Sequence, residues 1–223
     1  MKTFQTKHEQ VYEALRAAII SGEIAPGERI NIRQVARQFE VSDIPVREAL
    51  KALAGENLIQ IVPYAGAVAA PISGKDVAEV GEIRLMLEPW GTGLAATHLS
   101  QSDLRQMADY LDEMDRALAS GDMASFANAD RIFHGLIFSR CPNERLGELL
   151  SSLWTASERN VLGLRKLPDH AARSQAEHRV LFQALERHDA KAAEEAARRH
   201  RLGLLERLSS LVAELPNSLE VRR

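Results

Sequence analysis

Three histidines and one aspartate interrupt apolar stripes in the C-terminal half of this 223-residue chain, and together they could hold a metal ion. Asp130 and His134 are four apart and so share a helix face. Their row runs Phe126, Asp130, His134, Phe138, flanked by Phe133 and Ile137, so both polar groups stand on an apolar face. An ionised carboxylate buried there costs several kcal/mol unless something compensates it, and a divalent cation is one such partner. His178 lies in the row Ser174, His178, Phe182 beside Leu181 and Leu185, and His200 interrupts Ala196, Leu204 and Leu208. Three imidazoles and a carboxylate could supply four ligands and leave coordination positions open. Each histidine also reads as a hydrogen-bonded core residue, and spacing alone leaves both readings open.

Helices must carry these groups. After Ala70-Pro71-Ile72-Ser73 the β-prone patterning stops and helical periodicity runs to the end of the chain. Ser73 and Asp76 form an approximate capping box for a helix to about His98, and Ser102 caps a second to about Ser120. Further helices are expected over 122–140, 143–165, 170–187 and 189–213, broken at Gly121-Asp122, Cys141-Pro142-Asn143, Leu167-Pro168-Asp169 and His188-Asp189. Residues 73–223 therefore read as an all-α antiparallel helical bundle.

Residues 1–72 follow a different pattern. Val46, Leu50 and Leu53 recur at helical spacing after Ser42, an N-cap residue whose hydroxyl would accept a first-turn N–H, with Pro45 tolerated inside that turn. The inward face leaves Ser42, Ile44, Arg47 and Lys51 outward. Asn31 caps a preceding helix with Ile32, Val35, Ala36 and Phe39 on its apolar side, so the pair makes a helix-turn-helix. An earlier helix carrying Val11, Leu15, Ala18 and Ile19 ends near Ser21-Gly22. The runs 58–62 and 67–70, split by Pro63-Tyr64-Ala65-Gly66, read as a hairpin. The whole is a winged helix-turn-helix of three helices plus a β-hairpin wing, and the chain is mainly α.

At this point the first third closely resembles the GntR family of bacterial transcription regulators, on Ser21-Gly22, Pro26-Gly27-Glu28, Ser42, Pro45-Val46-Arg47-Glu48-Ala49-Leu50, Leu53, Leu58-Ile59 and Gly66. The resemblance implies that Arg33 and Arg47 approach DNA, that Ser42 binds phosphate and that Gly66 sits at the wing tip by the minor groove. Asp43, Ile44, Pro45 and Lys51 complete the DNA-facing set. Asp43 departs from the basic residue common there, and its carboxylate should be repelled by the phosphate-lined groove unless it accepts from a cytosine amine. A solvated helix face is the other reading of Arg33 and Arg47.

Residues 73–213 resemble the FCD effector-binding domain of the FadR branch of that family, through Asp130-x-x-x-His134, Glu177-His178, His200, Glu82-x-Arg84 and Leu87-Glu88. This implies a metal site of Asp130, His134, His178 and His200, with zinc first among candidates that include nickel, manganese and iron. A small organic acid would fill the open positions. Arg84 would pair its carboxylate, bidentate pairing being what a guanidinium does well, and Asn160 would add a polar contact. The other reading of Arg84 is an exposed salt bridge to Glu88. His8, His98, His170 and His188 lie near helix ends, where a solvated role is the default.

Charge gives little help, since the formal net charge is −3. Residues 29–51 hold five basic against three acidic side chains, so one copy would bind DNA weakly, and a homodimer on palindromic double-stranded operator DNA is expected. The single cysteine, Cys141, cannot form an internal disulfide, and no apolar run approaches a bilayer span, so a cytoplasmic protein is expected. Two further readings compete: a metal-dependent hydrolase in a helical bundle, and an architectural DNA-binding dimer with a structural metal only. His188-Asp189 resembles a phosphohydrolase dipeptide, but it falls at a helix break without partner histidines. The reading adopted is a non-enzymatic regulator whose effector changes the separation of two recognition helices.

Overall fold

The chain enters its first helix, α1 (Lys7–Ser21), through a reciprocal cap: the Thr6 hydroxyl accepts the Glu9 N–H and the Glu9 carboxylate accepts the Thr6 N–H. Gly22 ends it at φ 81°, a left-handed conformation that glycine adopts without steric cost. This is a computed structural model describing residues 6–62, 66–71, 74–157 and 169–214. They fall into two units, one within Met1–Ser73 and one within Gly74–Leu215.

In the first unit a short strand, β1 (Arg29–Ile30), leads into α2 (Ile32–Gln38), which Asn31 caps by accepting the Gln34 N–H at 3.2 Å. The turn that follows places Glu40 at φ 52°, an uncommon conformation for a residue with a Cβ. Next comes α3 (Asp43–Gly55). Ser42 occupies its N-cap position, but contrary to expectation its side chain makes no cap hydrogen bond. The reason lies in the first turn: the third helical residue, a usual donor to an N-cap hydroxyl, is Pro45, which has no N–H.

The hairpin forms from β2 (Ile59–Val62) and β3 (Gly66–Ala69), pairing Ile59 with Ala69 and Val62 with Gly66. β1 adds to the other edge of β3, Arg29 opposite Val68, giving an antiparallel sheet of order β1-β3-β2 that the sequence reading did not include. Val11, Leu15 and Ile19 of α1, Val35 and Ala36 of α2, and Val46, Leu50 and Leu53 of α3 close on Leu58 and Ile59 as one core.

The second unit consists of α4 (Gly74–Ala96), α5 (Gln101–Ser120), α6 (Met123–Ser139), α7 (Glu144–Ser157), α8 (His170–Glu186) and α9 (Ala190–Glu214). Expected start and end points hold closely with one correction. Ser100, not Ser102, caps α5, because its hydroxyl accepts the Asp103 N–H while the Asp103 carboxylate accepts the Ser100 N–H at 2.9 Å. Arg140 then grips Asp103 through Nε at 2.9 Å and Nη2 at 2.8 Å. The expected capping box at Ser73 lies outside the described residues, as does the end of the 143–165 helix beyond Ser157.

α4 packs along α9 and against α7, α5 packs against α6 and α8, and α8 packs against α9. Where α6 meets α7 the approach is close enough that a Cβ on Gly147 would stand 2.7 Å from the Phe138 carbonyl oxygen. Phe126, Phe133, Ile137, Leu111, Met114, Leu181 and Leu185 fill the middle of this unit. No helix among the described residues is long and apolar enough to cross a membrane.

Candidate functional site

Helical spacing brings the histidines together from three elements. α6 carries His134, α8 His178 and α9 His200, and one ring nitrogen of each lies within 4.8 Å of the others. His134 Nε2 and His178 Nε2 are 3.2 Å apart, and Asp130 Oδ1 lies 3.1 Å from the latter and 3.6 Å from the former. Donors each about 2.0–2.1 Å from one ion at tetrahedral angles stand about 3.3 Å apart, so this spacing fits a shared cation.

The three rings are 2%, 0% and 4% exposed for His134, His178 and His200. Burial, reinforced by the neighbouring cationic groups, pushes His134 and His178 well below the ordinary histidine range. They are therefore neutral at pH 7, with lone pairs available as metal binding requires.

A second layer orients the set. His200 Nδ1 is 2.8 Å from Glu177 Oε2, and Arg207 reaches the same carboxylate at 3.3 Å through both terminal nitrogens. Burial works against ionising Glu177, yet these hydrogen bonds hold its carboxyl below the usual range. With Nδ1–H donating to Glu177, the lone pair of His200 falls on Nε2, the arrangement by which carboxylates fix metal-binding imidazoles.

Beside the histidines lies a group of buried charges that sequence reading largely missed. Arg84 does pair with Glu88, but the pair is buried, at 2% and 1% exposure, and is no surface bridge. Arg84 Nε donates to Glu88 Oε2 at 3.0 Å, and Nη1 donates to the Ser157 hydroxyl. Its guanidinium carbon sits 4.5 Å from the centre of the Trp154 ring, which also lies 4.4 Å from the centre of the His134 ring. From α9, Arg201 points into the same group, 2% exposed, with Nε 3.6 Å from Glu88 Oε2. The available signal for Arg201 was its place on the inward row Ala193, Ala197, Arg201.

His170 was expected in solvent and is instead 7% exposed. Burial first, then the charges of Arg207 and His200, lower it to about 4. His188 is exposed, as expected, and its Nδ1 lies 2.7 Å from the Ala96 carbonyl oxygen. Asn160 lies outside the described residues.

The candidate DNA-facing set occupies the other unit. Arg33 on α2, and Ser42, Ile44, Arg47 and Lys51 at or on α3, are exposed, while Asp43 and Pro45 are half-buried. Gly66 opens β3, exposed, at φ 85°.

Residues 7–68 match the model described as "Bacterial regulatory proteins, gntR family", and residues 79–202 match that of the FCD domain. Over 145 residues, 65% of this chain and 66% of the relative, the sequence is 30% identical to the HTH-type transcriptional regulator McbR of Escherichia coli (strain K12). It is 29% identical over 200 residues to the HTH-type transcriptional repressor RspR of the same strain, covering 88% of this chain and 86% of that one. The solved structure of E. coli McbR/YncC superposes with a TM-score of 0.82 at 24% identity, over 94% of this chain and 100% of that one, a likeness of fold. The chain belongs to the gntR family of bacterial regulatory proteins and carries its FCD domain: it is a DNA-binding transcription regulator and not an enzyme.

Proposed function

We propose that this regulator grips a palindromic operator as a homodimer and alters that grip when a small organic acid binds at a divalent metal held by Asp130, His134, His178 and His200. The observation that carries the reading is the convergence of three buried imidazoles and a carboxylate beside buried arginines. Zinc suits this donor set best, with nickel, manganese and iron as alternatives. A bound divalent ion would supply Lewis-acid attraction for a carboxylate oxygen. Repression, the action named for RspR, is the direction assigned to it, in the cytoplasm.

On DNA, Arg47, Lys51 and Arg33 supply positive charge from α3 and α2, and the uncapped Ser42 hydroxyl is available to a phosphate oxygen. Asp43, Ile44 and Pro45 face the groove from the first turn of α3, where Asp43 accepts from a cytosine amine, and Gly66 brings the wing to the minor groove. Support for the homodimer comes from α4, where Ile83, Met86 and Trp90, 45%, 68% and 46% exposed, line one helix face. A contiguous exposed strip with methionine and tryptophan is the composition of an interface core.

The test begins with DNA sites selected by the protein from a random-sequence library. Affinity for them is then measured with zinc-loaded and chelator-treated protein against a panel of carboxylic acids. At least one acid is expected to change affinity by roughly 5–150-fold, and only with metal present. Affinity unchanged by every acid that binds the protein would overturn the reading.

A further inference from the structure

In the second unit two buried guanidinium groups compete for one fully buried carboxylate. Arg84 and Arg201 are each 2% exposed and share one buried carboxylate, Glu88. Arg84 is better served, with Glu88 on Nε and 2.9 Å from Nη2, Ser157 on Nη1 and Trp154 against its face, although Nη2 too lacks a hydrogen-bond partner among the described residues. The Arg201 Nε stands 3.6 Å from Glu88, beyond hydrogen-bonding distance, and among the described residues neither Nε nor Nη1 has a hydrogen-bond partner.

Buried donors left unmatched are costly, and a buried guanidinium more so, because the charge cannot easily be shed. Both the Glu88 and Asp130 carboxylates act on Arg201, and Arg201 acts on His134, so the guanidinium and the imidazoles share one electrostatic neighbourhood.

Without metal, the two guanidinium groups are matched in number by the carboxylates of Glu88 and Asp130, and the Arg207–Glu177 pair balances itself. A divalent cation at the histidines would leave two positive charges without a counter-charge among the described residues. A monocarboxylate cancels half of that excess and leaves the Arg201 donors empty. A compound with two carboxylates cancels all of it.

We infer that the occupant is a small dicarboxylate, with one carboxylate directed to the metal and the other held by Arg201, which selects the second charge. This rests on the proposed metal and organic-acid reading and narrows it. Arg201 is the residue best suited to the task, since it is a buried cation whose Nε and Nη1 donors have no hydrogen-bond partner among the described residues, and either can donate to a carboxylate oxygen.

The experiment is calorimetric titration of the zinc-loaded full chain with pairs matched in carbon number: malonate and propionate, succinate and butyrate, glutarate and valerate. In at least one pair the dicarboxylate is expected to bind about tenfold or more tighter, the strength of one charged hydrogen-bonded pair. Arg201→Gln is expected to collapse that preference and Arg201→Lys to keep part of it, with zinc stoichiometry measured on each variant to certify the fold. Zinc-dependent binding with equal affinities across every pair overturns the inference and leaves the organic-acid site standing. A preference that survives Arg201→Gln overturns the role of Arg201. Zinc-loaded protein that binds none of the six acids, or protein that binds no zinc, brings down the parent reading as well.

Discussion

On α3 the side chains proposed to meet DNA stand in solvent, with Ile44 66% exposed and Arg47 and Lys51 open beside it, over a core made only of apolar residues. Between α4, α6, α8 and α9 the opposite holds: histidines, arginines and a glutamate are themselves part of the packed interior. The first surface can change its chemistry without consulting its core. The second cannot, because each buried polar group is stabilised by another, and removing one leaves the rest uncompensated. Recognition and stability are separable in one unit and fused in the other.

That contrast can be broken by mutation. The largest effect is expected for Glu88→Ala, which leaves Arg84 and Arg201 buried without their shared counter-charge and should cost about 3–5 kcal/mol in urea unfolding. A loss under 1 kcal/mol would mean that water already reaches the pair. Next comes Gly147→Ala, whose methyl would meet the Phe138 carbonyl, with an expected loss of about 1–3 kcal/mol as α6 and α7 are forced apart. Its melting temperature should fall with only the second unit's transition affected.

The third effect is on pH. His134, His178 and His170 have folded pKa values below their unfolded ones, so the unfolded chain binds more protons in the interval between. Their stabilising contribution is complete above about pH 6.5, the unfolded value, and is lost as pH falls toward the folded values. For His170 that window closes at about 4. Metal-free protein should therefore weaken from pH 7 to pH 5, and His170→Phe should remove about one proton from the slope. A flat stability profile would contradict the burial of these rings. Smallest of all is the stability change expected for Arg47→Ala, within about 0.5 kcal/mol, alongside a loss of about 1–3 kcal/mol in operator affinity measured by titration. A destabilising Arg47→Ala would erase the contrast from its other side.

Much of the architecture was legible because its signals are local. Asn31, Asp122 and Gly22 mark helix ends through bonds within one turn. The α5 cap slipped by two residues, since Ser100 and Ser102 both suit the role and only the Ser100–Asp103 exchange decides between them. β1 escaped because a two-residue strand carries no periodicity and exists only by pairing with β3, far along the chain. The three histidines stood out as polar interruptions of apolar rows. Glu88 and Arg201 did not, because a charged residue on a helix reads as solvated until its partner on another helix is known. Ser42 misled for a local reason that could have been read: the proline three positions on takes away the donor its hydroxyl would have met.

The Trp154 ring centre lies 4.5 Å from the Arg84 guanidinium carbon and 4.4 Å from the centre of the His134 ring, so its indole packs against both halves of the proposed pocket. The chain's one other tryptophan, Trp90, is 46% exposed on α4. The emission of the two indoles should thus separate by environment, and charge arriving at His134 will change the quenching of Trp154 alone. The molecule carries its own optical gauge of occupancy, readable in unlabelled protein with Trp90→Phe as the single-emitter form.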